Sequence, residues 1–91
     1  MIPVQKQLAE KYEQHSELMQ SMANSIGVDM GKAVLRDELR FFPYRDLVFR
    51  CTRCTQVEAC KGWVAAQDGT ATQTPDYCRN KGILDTLRSA V

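Results

Sequence analysis

The sequence has one histidine, one tryptophan, three prolines and no apolar run that approaches the length of a membrane span. Each shortage excludes something. The sequence offers no Ser/His/Asp set around His15, no phosphate-binding glycine loop and no metal site with an open position, so an enzyme is not expected. Twelve basic residues against 11 acidic ones leave a net charge of +1, which offers no field for duplex DNA or an anionic membrane. The opening Met1-Ile-Pro-Val-Gln-Lys-Gln-Leu has no apolar leader core, and Arg88-Ser-Ala-Val91 is no lipidation box; the expectation is a reducing cytoplasm. Segments alternating with period two are missing, as are repeats, low-complexity tracts and any linker able to divide the chain. What remains for 91 residues, 44% of them hydrophobic, is a single helical domain over 1–91 with a thin core that gains from a staple.

Helical periodicity is plentiful. Val4, Leu8, Tyr12, His15, Leu18, Met19, Met22 and Ile26 recur in steps of three and four. They predict a long amphipathic helix from Pro3 to about Ser25 within segment 1–27, with Pro3 in its first turn and Gly27 as its stop. Asp29 reads as the cap of a short second helix over Met30–Leu39, with Met30, Ala33 and Val34 inward. Phe41 and Phe42 precede Pro43, where a helix breaks; Pro43 then opens a third helix bearing Leu47, Val48 and Cys51. Thr55-Gln-Val-Glu58 has the capping-box pattern and predicts a fourth helix with Cys60, Trp63 and Val64, ended by Asp68-Gly69. Beyond the loop Thr70–Thr74, Asn80 is the expected cap of a last helix holding Ile83, Leu84 and Leu87. The fold class is all-α: four to five short helices, with every cysteine in region 43–91.

The cysteines are Cys51, Cys54, Cys60 and Cys78, spaced C-x2-C-x5-C-x17-C. In a reducing compartment four cysteines read first as metal or cluster ligands, ahead of two disulfides or a thioredoxin-like pair. A helix end, a helix start and a loop supply four thiolates from a compact region, which is the full ligand set of a structural zinc or an iron–sulfur cluster and leaves no open catalytic position. The doubly negative centre that results is offset by Arg50, Arg53, Arg79 and Lys81, all beside ligand candidates. The amino end of the fourth helix is expected to aim N–H groups at sulfur near Cys60. Val48, Phe49, Trp63, Val64 and Tyr77 flank the cysteines and are candidates for an apolar wall. His15 lies far upstream on the apolar stripe and is assigned to helix packing, not ligation.

Two resemblances bear on the choice of metal. The segment Cys51-Thr-Arg-Cys54-Thr-Gln-Val-Glu-Ala-Cys60-Lys-Gly-Trp-Val-Ala-Ala66 resembles the C-x2-C-x5-C helix of WhiB-like regulators, which bind a 4Fe–4S cluster. In that family the fourth cysteine lies upstream, whereas Cys78 lies downstream, and the family's basic tail is missing here. The resemblance therefore implies cluster ligation by Cys51, Cys54 and Cys60 and does not extend to transcription. Over most of its length the chain is similar to a family of small uncharacterised bacterial proteins. The matching pattern is Met22-Ala-x-x-Ile-Gly27-Val-Asp, then Val48-x-Arg50-Cys51-x-x-Cys54, Ala59-Cys60-x-x-Trp63 and Pro75-x-Tyr77-Cys78-Arg-Asn80. That similarity implies one helical domain with a shared cysteine site and names no activity. The functional expectation is a small iron–sulfur protein for redox sensing or electron transfer with a protein partner; the alternative is a zinc-stapled interaction module.

Overall fold

The structure, a computed structural model, describes residues 4–39, 42–69 and 71–89. Five α-helices follow one another: α1 Val4–Ser25, α2 Met30–Leu35, α3 Tyr44–Thr52, α4 Val57–Ala66 and α5 Lys81–Ser89. No strand occurs among the described residues, so the all-helical expectation holds. Pro3, Phe41 and Thr70, on which the sequence placed a helix start, a break and a loop edge, lie outside the described residues.

α1 organises the rest. Its 22 residues span about 33 Å at 1.5 Å per residue, against a longest molecular dimension of 45 Å. Its apolar stripe packs chiefly on α3, then on α4 and α2. Met19, Met22, Ala23 and Ile26 meet Leu47 and Val48 of α3, Met30 and Ala33 of α2, Cys60 of α4, and Leu84 and Leu87 of α5 in one core. Each such aliphatic side chain contributes about 1.5–3 kcal/mol by leaving water. The stripe outruns the body it covers. Leu8, placed on the buried face by its spacing, stays 62% exposed, and Tyr12 meets the half-exposed Phe49 edge-on, ring centroids 5.7 Å apart.

The helix ends explain where the sequence reading held and where it slipped. Gly27 has φ +83°; its N–H bonds to Asn24 O and the Val28 N–H to Ala23 O. This is a Schellman stop, sealed by buried Val28. Asp29 caps α2 as expected, its carboxylate accepting from the Lys32 N–H at 3.0 Å. α2 then ends at Leu35, four residues early. Asp37 takes the left-handed position (φ 55°), with Asp37 N–H on Val34 O and Glu38 N–H on Ala33 O, so a second Schellman stop forms without glycine. Val34, expected inside, is 48% exposed as a result.

The predicted capping box at Thr55 does not form. α4 starts at Val57 behind Gln56, which makes no side-chain cap, and Glu58 faces Lys61 at 3.7 Å instead of reaching back. The sulfur of Cys54 has taken over that turn by accepting the Gln56 N–H at 3.3 Å. Asn80 does precede α5, and its carbonyl accepts from Leu84 N–H, but its side chain turns inward. The Asn80 Nδ2 donates to Leu47 O at 2.8 Å and lies 3.5 Å from Met19 Sδ, joining α5, α3 and α1. The preceding loop is tied to α5 by Asp85, which accepts from the Thr74 N–H at 2.9 Å, and by Lys81, which donates to Thr74 O at 2.6 Å.

Candidate functional site

Cys51 lies in the last turn of α3, Cys54 just after that helix, Cys60 in the first turns of α4 and Cys78 in the loop before α5. The turn between α3 and α4 is closed by Arg53 N–H on Arg50 O and Cys54 N–H on Cys51 O, so the chain reverses within a few residues and swings Cys54 and Cys60 toward Cys51. Asn80, anchored to Leu47, returns the loop so that Cys78 faces the same place. All four thiols line one cavity of about 20 Å³. The rest of its wall is mostly apolar: Leu18, Met19 and Met22 from α1, Val57 from α4, Tyr77 from the loop and Leu84 from α5, with Arg79 and Asn80 completing it.

The thiols are free and electrostatically coupled. Burial first, then repulsion from Cys60, Cys54 and Cys78, pushes the Cys51 thiol up to about 12. Burial and the charges of Cys78 and Cys54 push Cys60 up to about 11. Cys78 is also raised by burial, against the opposing pull of the Asn80 N–H and the Thr74 hydroxyl. Such groups are neutral at ordinary pH on their own, and a cation placed among them reverses that preference. The sulfurs share a cavity and not a coordination point: among the described residues no three Cys, His, Asp or Glu side chains stand in a ready metal-binding geometry. Local partners hold them apart. Cys51 Sγ donates to His15 O at 3.7 Å, and Cys54 Sγ is held by the Gln56 N–H. That N–H serves Cys54, not Cys60 as expected; the Cys60 N–H is spent on Gln56 O inside the helix.

The candidates surrounding the thiols divide. Tyr77 and Arg79 line the cavity; Arg50, Arg53, Trp63 and Lys81 do not. Arg50 lies over the Phe42 ring at 5.1 Å, Arg53 is an exposed end residue of α3, and Lys81 is engaged by Asp85 at 3.1 Å and Asp76 at 3.8 Å. Trp63 is half-buried against the core. Of the proposed apolar wall only Tyr77 serves; Val48 is in the central core and Phe49 is half exposed.

His15 is the residue that sequence reasoning undervalued. It is buried on α1 as expected, but its Nδ1 lies 3.5 Å from Cys51 Sγ. Burial first, then the Lys11 charge, lowers its pKa, against the opposing pull of a hydrogen bond to the Cys51 backbone. The signal was present: His15 shares the stripe of Leu18, Met19 and Met22, all three of which form cavity wall.

No curated protein and no solved structure matches the chain. A family model does, over residues 6–90, which takes in every residue that lines the cavity and all four cysteines. The chain belongs to a family of unknown function, DUF6455.

Proposed function

We propose that this chain is a small iron–sulfur protein of redox sensing or electron transfer, with a 4Fe–4S cluster held by Cys51, Cys54, Cys60 and Cys78. The observation that carries the reading is the meeting of four thiols, from a helix end, a turn, a helix start and a loop, in one mostly apolar cavity. The donor set fits. Asn80, in the same wall, carries a buried Oδ1 with no hydrogen-bond partner among the described residues. Four thiols and an unmatched carbonyl oxygen suit a cationic core, not an anion. An apolar wall, few N–H···S contacts and the nearby Arg79 are the levers by which a protein sets a cluster's potential. A bound cluster supplies one-electron chemistry; the chain's residues ligate it, exclude water and present it to a protein partner. No membrane anchoring is invoked: no helix among the described residues is long and apolar enough to cross a bilayer. A reducing, cytoplasmic setting suits four free thiols.

A structural zinc is the second reading, favoured by the cavity's small size. About 20 Å³ is the space of a single ion, around which the four sulfurs would have to converge, whereas a 4Fe–4S core requires the thiols to part. Protein purified without oxygen and analysed for iron, sulfide and zinc separates the two. Iron and sulfide in equal amounts, lost in each single Cys→Ser variant, support the cluster; one zinc without sulfide transfers the site to the staple role. Metal-free protein that binds neither iron nor zinc when reduced would sink both.

A further inference from the structure

We propose that His15 is a positioning residue of the four-cysteine centre, its Nδ1–H donating a hydrogen bond to Cys51 Sγ; this rests on the metal-centre reading above. The Nδ1 to Sγ distance is 3.5 Å, within the reach of a hydrogen bond to sulfur. The tautomer follows from the partners. A ligating Cys51 is a thiolate with no proton to give, so the sulfur meets the ring only as an acceptor and Nδ1 carries the hydrogen; in the metal-free protein the Cys51 thiol is directed to the His15 carbonyl at 3.7 Å. One residue of α1 thereby addresses one sulfur of α3 twice, once from the backbone and once from the side chain. α1 and α3 form the most extensive helix pair of the fold, so the ring has little freedom to leave. His15 itself is 9% exposed.

The consequence for the site is directional. A donor fixed on a ligand sulfur holds that sulfur's remaining lone pairs toward the cavity and stabilises the charge that accumulates on it. Outer partners of this kind are commonly worth 10–100-fold in metal affinity. They also raise a cluster's reduction potential, because the more negative reduced form gains more from the donor. The resulting order of affinity is wild type and the donor-bearing His15→Asn above His15→Phe, which fills the space without a donor. Asparagine's Nδ2 occupies roughly the position of histidine Nδ1.

Cobalt(II) is the probe, titrated anaerobically into the reduced full chain of each variant, with circular dichroism of the metal-free forms as the folding check. The expected result is a four-thiolate cobalt spectrum of the same shape in all three proteins, with affinity weakened about 10–100-fold in His15→Phe and largely recovered in His15→Asn. Equal affinity in His15→Phe and wild type overturns the positioning role while leaving the centre intact. A change in spectral shape that shows loss of a nitrogen ligand overturns it in favour of direct ligation. Failure of the wild type to bind cobalt removes the centre itself and this role with it. If His15→Phe does not fold, nitrogen-detected NMR of the cobalt-free wild type decides: hydrogen on Nε2 and not on Nδ1 overturns the proposal.

Discussion

Asn80 joins three helices through one amide. Its Nδ2 is a polar partner of the Leu47 carbonyl, in a place where both groups are shut off from water. Asn80→Ala is expected to cost about 1 kcal/mol, the loss of a buried hydrogen bond that ties the loop before α5 to α3, read as a lower urea midpoint with unchanged slope. Asp85 carries the acid sensitivity of the same region. Burial alone would raise its pKa, but the Thr74 N–H and the Lys81 ammonium outweigh burial and the net shift is downward from 3.8. The folded state thus holds this proton less tightly than the unfolded chain. Its stabilisation is complete above the unfolded value and lost as pH falls through the folded one. Asp85→Asn should therefore lower stability near neutrality by about 1–3 kcal/mol and flatten the loss of stability below about pH 4. Equal acid limbs in the two proteins would show that Asp85 is not the group responsible.

The helix stops make a matched pair with unequal residues. Gly27 and Asp37 both sit at the left-handed position of a Schellman turn, at φ +83° and 55°. Glycine is at home there and aspartate is strained by its Cβ. Asp37→Gly is predicted to stabilise by about 0.5–1 kcal/mol and Gly27→Ala to destabilise by about 1 kcal/mol, both visible in thermal melts. A Cβ at Gly27 meets nothing within 4 Å, so its cost is backbone conformation and not collision. This contrast also marks what could be read in advance. The end of α1 was legible because glycine announces a left-handed residue. The end of α2 was not, because aspartate is an uncommon occupant that looks like any polar surface residue. The start of α4 was misread for a related reason: Thr55 and Glu58 have the right spacing, but a neighbouring sulfur captured the turn. Local pattern identified five helices; competition among local acceptors decided their ends.

The cavity belongs to the assembled molecule. Its thiols were legible because three of them lie within ten residues and are the only such group in the chain. Its wall was not, because Leu18, Met19, Met22 and Leu84 come from the first and last helices and reach the site only through tertiary packing. On the proposed reading the same geometry would tie metal to fold. An ion or cluster bound to the native state alone adds about 3–4 kcal/mol at 100–1,000 times its dissociation constant. Removing it with a chelator under reducing conditions should lower helicity and the melting temperature and alter the emission of Trp63, the one tryptophan, on the helix that carries Cys60. An unchanged circular dichroism spectrum and melting temperature after complete metal removal would sink this coupling.

The order of segments around the cavity also sets an order in time. During synthesis α1, Cys51, Cys54 and Cys60 leave the ribosome well before Cys78, Asn80 and Leu84, which complete the far wall. At about 5–20 residues per second, the stretch from Cys60 to Leu84 takes roughly one to a few seconds to add, so the wall can close only once the last helix has been made.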